Sequence, residues 1–168
     1  MQPTQRALRN GRSAGRVRHI LLYGTLCASE PAHADLGLGT ALAPLGNRTL
    51  RATLYDLGAY PGLVLGRGMA AAELYRIEDG TILRRLDAYE GFDPRKAAQS
   101  LFVRTSIRLP PAAGARGPIE AWIYLYNGRT GRLREVPGGS WPAYRAARAG
   151  VICRCKTARR SPRAGRRS

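Results

Sequence analysis

The order of periodic segments predicts an α+β fold: a small mixed β-barrel or curled sheet with a few short helices. Three observations carry that expectation. Ile20-Leu21-Leu22-Tyr23 is a short apolar run that stops at Gly24, as a buried strand does. Residues 119–126 alternate between Ile119, Ala121, Ile123, Leu125 and Glu120, Trp122, Tyr124, Tyr126, with both sets largely apolar, as in a central strand. Between them, Ile82, Leu83, Leu86 and Tyr89 recur at helical spacing and make one apolar stripe.

In chain order, residues 1–18 hold five arginines, no acid and no apolar periodicity, and are read as a disordered basic tail. The first strand covers about 19–23. Gly24, without a Cβ, lets the backbone turn sharply, and such a turn can aim successive N–H groups at an anion. Ser29-Glu30-Pro31 reads as a helix start with Ser29 as cap, ended soon after Asp35 by Gly37 and Gly39. Residues 41–57 give one or two strands with Leu50, Ala52 and Leu54 on one face. Gly58–Gly62 is a turn with Tyr60 at its tip. Residues 63–65 form a short strand, Gly66-Arg67-Gly68 a hairpin-like connection, and 69–77 a further strand with Glu73 on its solvated face. Asp79 caps a helix over about 80–90, with Arg84, Arg85 and Asp87 on the wet side and Gly91 as terminator. Glu90 falls at the C-terminal end of that helix, where the partial negative charge favours a retained proton. A polar loop over 93–100 leads to a strand over 101–109, a Pro/Ala/Gly-rich turn over 110–118, and the strand over 119–126 closed by Asn127-Gly128. Ser140 caps a last helix, with Pro142 in its first turn, running to about Arg148.

The net charge of +17 raises the question of nucleic acid. Residues 1–18 and 154–168 contribute twelve positive charges and no negative one, leaving +5 to residues 19–153. Such ends can meet phosphates electrostatically, but they carry no aromatic residue to stack on bases, so a nucleic-acid partner is not the expected one. The three cysteines form no disulfide framework, and Cys153-Arg-Cys155 with His19 and His33 has no metal-ligand spacing. No apolar run is long enough to span a membrane, and the first residues hold no secretory h-region, so a soluble, cytoplasmic protein is expected. The expected organisation is one domain over 19–150 between disordered basic tails, 1–18 and 151–168.

Tyr23-Gly24-Thr25-Leu26, Tyr55-Asp56-Leu57-Gly58-Ala59-Tyr60-Pro61, Glu73-Leu74-Tyr75, Leu86-Asp87-Ala88-Tyr89-Glu90-Gly91 and Ala121-Trp122-Ile123-Tyr124 follow one another in an order and spacing that resemble the γ-glutamylcyclotransferase-like (AIG2-like) family. The resemblance covers about residues 19–148. It implies cleavage of a γ-glutamyl amide by attack of the substrate's own α-amine, releasing 5-oxoproline and a free amine without a cofactor. By the same resemblance Glu90 is the catalytic acid/base, the N–H groups of Gly24, Thr25 and Leu26 beside Tyr23 hold the glutamyl carboxylate, and Tyr124 hydrogen-bonds the substrate. One carboxylate suffices for such chemistry, because the nucleophile is built into the substrate and needs only proton transfers. The Thr25-Leu26 pair resembles the γ-glutamylamine and plant/bacterial branches, while Phe102 stands where many members carry Tyr. The alternatives are a re-specialised small-molecule-binding domain of the same fold and an adaptor to anionic surfaces through the tails.

Overall fold

The computed structural model describes residues 17–111 and 117–158. Its framework is a six-stranded mixed sheet curled into a half-barrel, which agrees with the expected α+β class. The strands are β1 (His19–Leu22), β2 (Leu42–Asp56), β3 (Pro61–Ile77), β4 (Phe102–Leu109), β5 (Ile119–Tyr126) and β6 (Arg134–Glu135), in the spatial order β4-β5-β1-β3-β2-β6. Among the described residues only the β1–β5 pair is parallel; the other pairs are antiparallel. The helices are α1 (Pro31–Asp35), α2 (Leu38–Ala41), α3 (Ile82–Glu90) and α4 (Trp141–Ala158).

Both faces of the sheet are covered, which explains why β1 and β5 lack a polar side. Ile20, Leu22 and Tyr124 pack on one face with Leu38 of α2 and with Ile82 and Leu86 of α3. Leu21 and Ile123 pack on the other with Leu54, Leu63, Leu74 and Trp141 of α4. A nine-residue helix such as α3 is marginal alone, so burial of Ile82 and Leu86 decides its existence. It ends in a Schellman motif: Gly91 is left-handed (φ 65°), the Phe92 N–H donates to Asp87 O at 2.8 Å, and the Gly91 N–H donates to Ala88 O at 3.3 Å.

Several expectations are corrected. Gly66-Arg67-Gly68 does not join two strands. β3 runs on through it, and β2 pairs with β3 on both sides, Leu50 opposite Ala70 and Ala52 opposite Leu65. The extra residues of β3 bulge outward between those pairs, with φ of 140° at Gly66 and 87° at Gly68, and the Thr53 hydroxyl donates to Arg67 O. This bulge bends the long β2–β3 ribbon where a hairpin reading would have cut it. Ser29 is not the cap of α1; that position is Glu30, whose carboxylate instead receives Arg145 Nη1 at 2.5 Å. Gly37 ends α1 in a left-handed conformation (φ 63°), yet the chain then turns into α2, because Leu38 is drawn into the core. Helix α3 begins two residues later than expected, since Asp79 accepts the Thr81 N–H (2.9 Å) and hydroxyl (2.6 Å) ahead of it. Helix α4 passes the expected end at Arg148 and continues to Ala158. The remainder of both basic tails, and most of the turn over 110–118, lie outside the described residues.

Helix α4 is held to the rest of the fold by two acids, the buried Glu30 and the half-buried Asp56. Glu30 receives Arg145, and Asp56 receives the Tyr144 hydroxyl (2.8 Å), Arg148 Nη1 (2.9 Å) and the Gly58 N–H (2.7 Å). Burial works against charge on Asp56, but these donors together hold its pKa below the usual carboxylate value. Among the described residues no helix is long and apolar enough to cross a membrane.

Candidate active site

All six residues singled out in the sequence line one cavity of about 420 Å³: Tyr23, Gly24, Thr25, Leu26, Glu90 and Tyr124. The cavity opens where the end of β1, the C-terminal turn of α3 and the β2–β3 turn meet. Gly24 is there because nothing larger fits: a Cβ would stand 2.7 Å from Pro61 Cγ. The turn is closed by the Cys27 N–H donating to Gly24 O at 3.1 Å. Among the described residues the N–H groups of Gly24, Thr25 and Leu26 donate to no protein acceptor, so they are free for an anion.

Glu90 is half-buried, and no side-chain hydrogen bond reaches its carboxyl among the described residues. Burial raises its pKa from 4.5 to about 7. The direction agrees with the sequence argument, but the physical cause is desolvation in the cavity and not the helix end. Cys27, next to the turn, is no competing nucleophile: burial first, then the charges of Glu73 and Glu30, push its thiol up to about 12.

The tyrosines form a chain behind the cavity. The Tyr23 hydroxyl donates to Tyr124 O at 2.7 Å, and the Tyr124 hydroxyl donates to Asp87 Oδ1 at 2.7 Å. Arg104 Nε lies 3.2 Å from the same Oδ1, with its guanidinium 4.9 Å over the Trp122 ring. Burial, followed for Tyr23 by the Glu90 charge and for Tyr124 by the bond to Asp87, raises both phenols well above the ordinary value, so both stay protonated. Tyr124 has thus spent its one proton on Asp87 and can offer a bound molecule only an acceptor lone pair.

Three sequence assignments change here. Asp87 is not on the wet side of α3 but is half-buried against Tyr124 and Arg104. A signal was available: Asp87 stands three residues before Glu90, and helical spacing puts both on one face. Tyr89 is not in the core stripe. It is 45% exposed at the cavity mouth, its hydroxyl donating to Thr25 Oγ1 at 3.2 Å, because the last turn of α3 leaves the core for the site. Glu73 does not simply face solvent: half-buried, its Oε2 accepts the Ala28 N–H at 2.8 Å and the Tyr75 hydroxyl at 2.6 Å, pinning the chain after the turn to β3. Tyr60, Pro61, Leu101 and Phe102 also line the cavity, and no local pattern marked them as neighbours.

The Asp87 chain yields a stability prediction. Tyr124→Phe is expected to cost about 1 kcal/mol, because Asp87 keeps Arg104. Asp87→Ala is expected to cost about 3 kcal/mol, since it strands both a buried hydroxyl and a guanidinium. Urea unfolding of the two variants separates these outcomes, and equal losses would show that Arg104 is not held by Asp87.

Residues 20–143 match the family model described as gamma-glutamyl cyclotransferase, AIG2-like. The chain is 33% identical over 123 residues to a putative gamma-glutamylcyclotransferase of Vibrio cholerae, covering 73% of this chain and 93% of the relative. It is 30% identical over 135 residues to the gamma-L-glutamyl-butirosin B gamma-glutamyl cyclotransferase of Niallia circulans, covering 80% and 81%. The solution structure of the protein ytfP from Escherichia coli superposes with a TM-score of 0.53 at 30% identity, covering 73% of this chain and 95% of that one.

Proposed function

The chain belongs to the gamma-glutamyl cyclotransferase, AIG2-like family, and from that membership we propose that it releases 5-oxoproline and a free amine from a γ-glutamyl amide, with Glu90 as general acid and base. The observation that carries the reading is the Glu90 carboxyl, raised to about 7, in the cavity that also holds the three unbonded N–H groups of residues 24–26.

In this reading the substrate α-carboxylate lies on the N–H groups of Gly24, Thr25 and Leu26. The α-ammonium points at Glu90, and the Tyr124 hydroxyl oxygen accepts from it. Ionised Glu90 takes a proton from the ammonium, and the freed nitrogen attacks the side-chain amide carbon. The new C–N bond closes a five-membered ring. The bond to the leaving nitrogen breaks as Glu90 returns its proton there, and the ring nitrogen sheds its second proton, which the departing amine takes up to leave as an ammonium, so the carboxylate is regenerated and no other reactant is consumed. A pKa near neutrality suits both transfers. Holding nucleophile and carbonyl in one molecule supplies most of the proximity, so no serine or cysteine nucleophile is required.

The test is mass-spectrometric detection of 5-oxoproline from a panel of γ-glutamyl amides, wild type beside Glu90→Gln. Product from the wild type alone supports the reading. Binding without product from any amide would identify a binding domain instead.

A further inference from the structure

Among the described residues six large hydrophobic side chains are exposed, and three of them, Tyr60 (39%), Tyr89 (45%) and Leu101 (44%), stand at the mouth of the one cavity that holds Glu90. Single exposed apolar residues are ordinary on a protein surface. Three from separate segments that line one cavity are not, since they gather exposed apolar surface beside a polar site. Each is fixed in place. The Tyr60 ring meets Phe102 edge-on, with centroids 5.9 Å apart and planes at 66°. Its turn is held by the Leu57 N–H donating to Tyr60 O at 3.1 Å and by Asp56 accepting the Gly58 N–H at 2.7 Å. Tyr89 is tied to Thr25, and Leu101 leads directly into β4.

The charges around the cavity point the same way. Glu90 is the one acidic side chain among the residues lining it, and none is basic. A carboxylate brought in on the amine half of a substrate finds no cation there, and its desolvation goes uncompensated. We propose that the rim of Tyr60, Tyr89, Leu101 and Phe102 receives the amine half of the γ-glutamyl amide and selects aromatic or aliphatic amines without a carboxylate over amino acids. The selection rests on the cyclotransferase reading of the cavity. It operates by exclusion as much as by attraction, because the rim offers apolar contact to one class and an unpaired charge to the other.

The experiment compares γ-glutamyl benzylamide with γ-glutamylglycine as substrates. The wild type is expected to favour the benzylamide in kcat/KM by about tenfold or more. Leu101→Arg, which puts a guanidinium at the mouth, is expected to move that ratio toward γ-glutamylglycine by about tenfold, and Tyr60→Ala to lower it through the benzylamide alone. Affinities of the Glu90→Gln protein for both compounds, measured by calorimetry, give the same comparison without turnover. Equal or better use of γ-glutamylglycine by the wild type would overturn the rim selection and leave the cyclotransferase reading standing. Tighter benzylamide binding with no product from either compound would sustain the rim and overturn the reaction. Neither binding nor product would overturn both.

Discussion

Replacing Glu90 by Gln is expected to lower 5-oxoproline release by about 100- to 10,000-fold while making the protein more stable at pH 8. The two effects share one cause. The cavity that gives Glu90 a pKa of about 7 does so by burying it, which disfavours its charged form. In the unfolded chain the same carboxyl titrates near 4.5, so between about pH 4.5 and 7 the folded state keeps a proton that the unfolded state has released. Stability from this group is therefore greatest below about pH 4.5, falls as pH rises to about 7 and is flat above, a loss of about 3 kcal/mol. Gln cannot ionise and escapes that loss. Urea unfolding at pH 4.5 and 8 should show wild type and variant close together at the lower pH and the variant ahead at the higher. On the proposed mechanism the same ionisation governs the reaction, because only the carboxylate can take the ammonium proton, so kcat/KM of the wild type should rise with an apparent pKa of about 7. Equal product from both proteins would remove Glu90 from the mechanism, and equal stability at pH 8 would place its carboxyl in water.

Gly139→Ala is expected to be the most damaging single methyl group in the described structure, costing about 3 kcal/mol or more. Gly139 has φ 64°, and a Cβ there would lie 1.9 Å from Met69 O and 3.0 Å from Met69 C. Both are backbone atoms of β3, so the turn before α4 would have to lift off the sheet and take Trp141, 1% exposed, out of the core. The neighbouring Gly138 is also left-handed (φ 72°), yet nothing lies within 4 Å of its Cβ position, so Gly138→Ala should cost only about 1 kcal/mol of backbone strain. Chemical denaturation of the pair measures the difference directly. Equal losses would mean that the turn moves away from β3 freely. The effect reaches the site as well, because Arg145 and Arg148 of α4 hold Glu30 beside the β1 turn and Asp56 beside the Tyr60 turn.

Local chemistry alone determined the alternation of Ile119–Tyr126, the apolar run into Gly24, and the Gly91 end of a helix whose last residue is Glu90. These follow from neighbours in the chain: side-chain period, a missing Cβ, and a left-handed terminator. The motif order carried Tyr23 to Leu26, Glu90 and Tyr124 into one expected site, and the fold brings those residues to one cavity. What only the tertiary structure decided depends on partners far away in sequence. Gly66-Arg67-Gly68 has the composition of a hairpin turn, and becomes a bulge because β2 continues to pair on both sides of it. Glu73, Asp87 and Tyr89 have local patterns for water, water and core. Their surroundings reverse all three, since Ala28 and Tyr75, Tyr124 and Arg104, and the open cavity are placed there by other strands and turns. Periodicity reports which way a side chain points along its own element; what waits for it there is set by the packing of the rest of the chain.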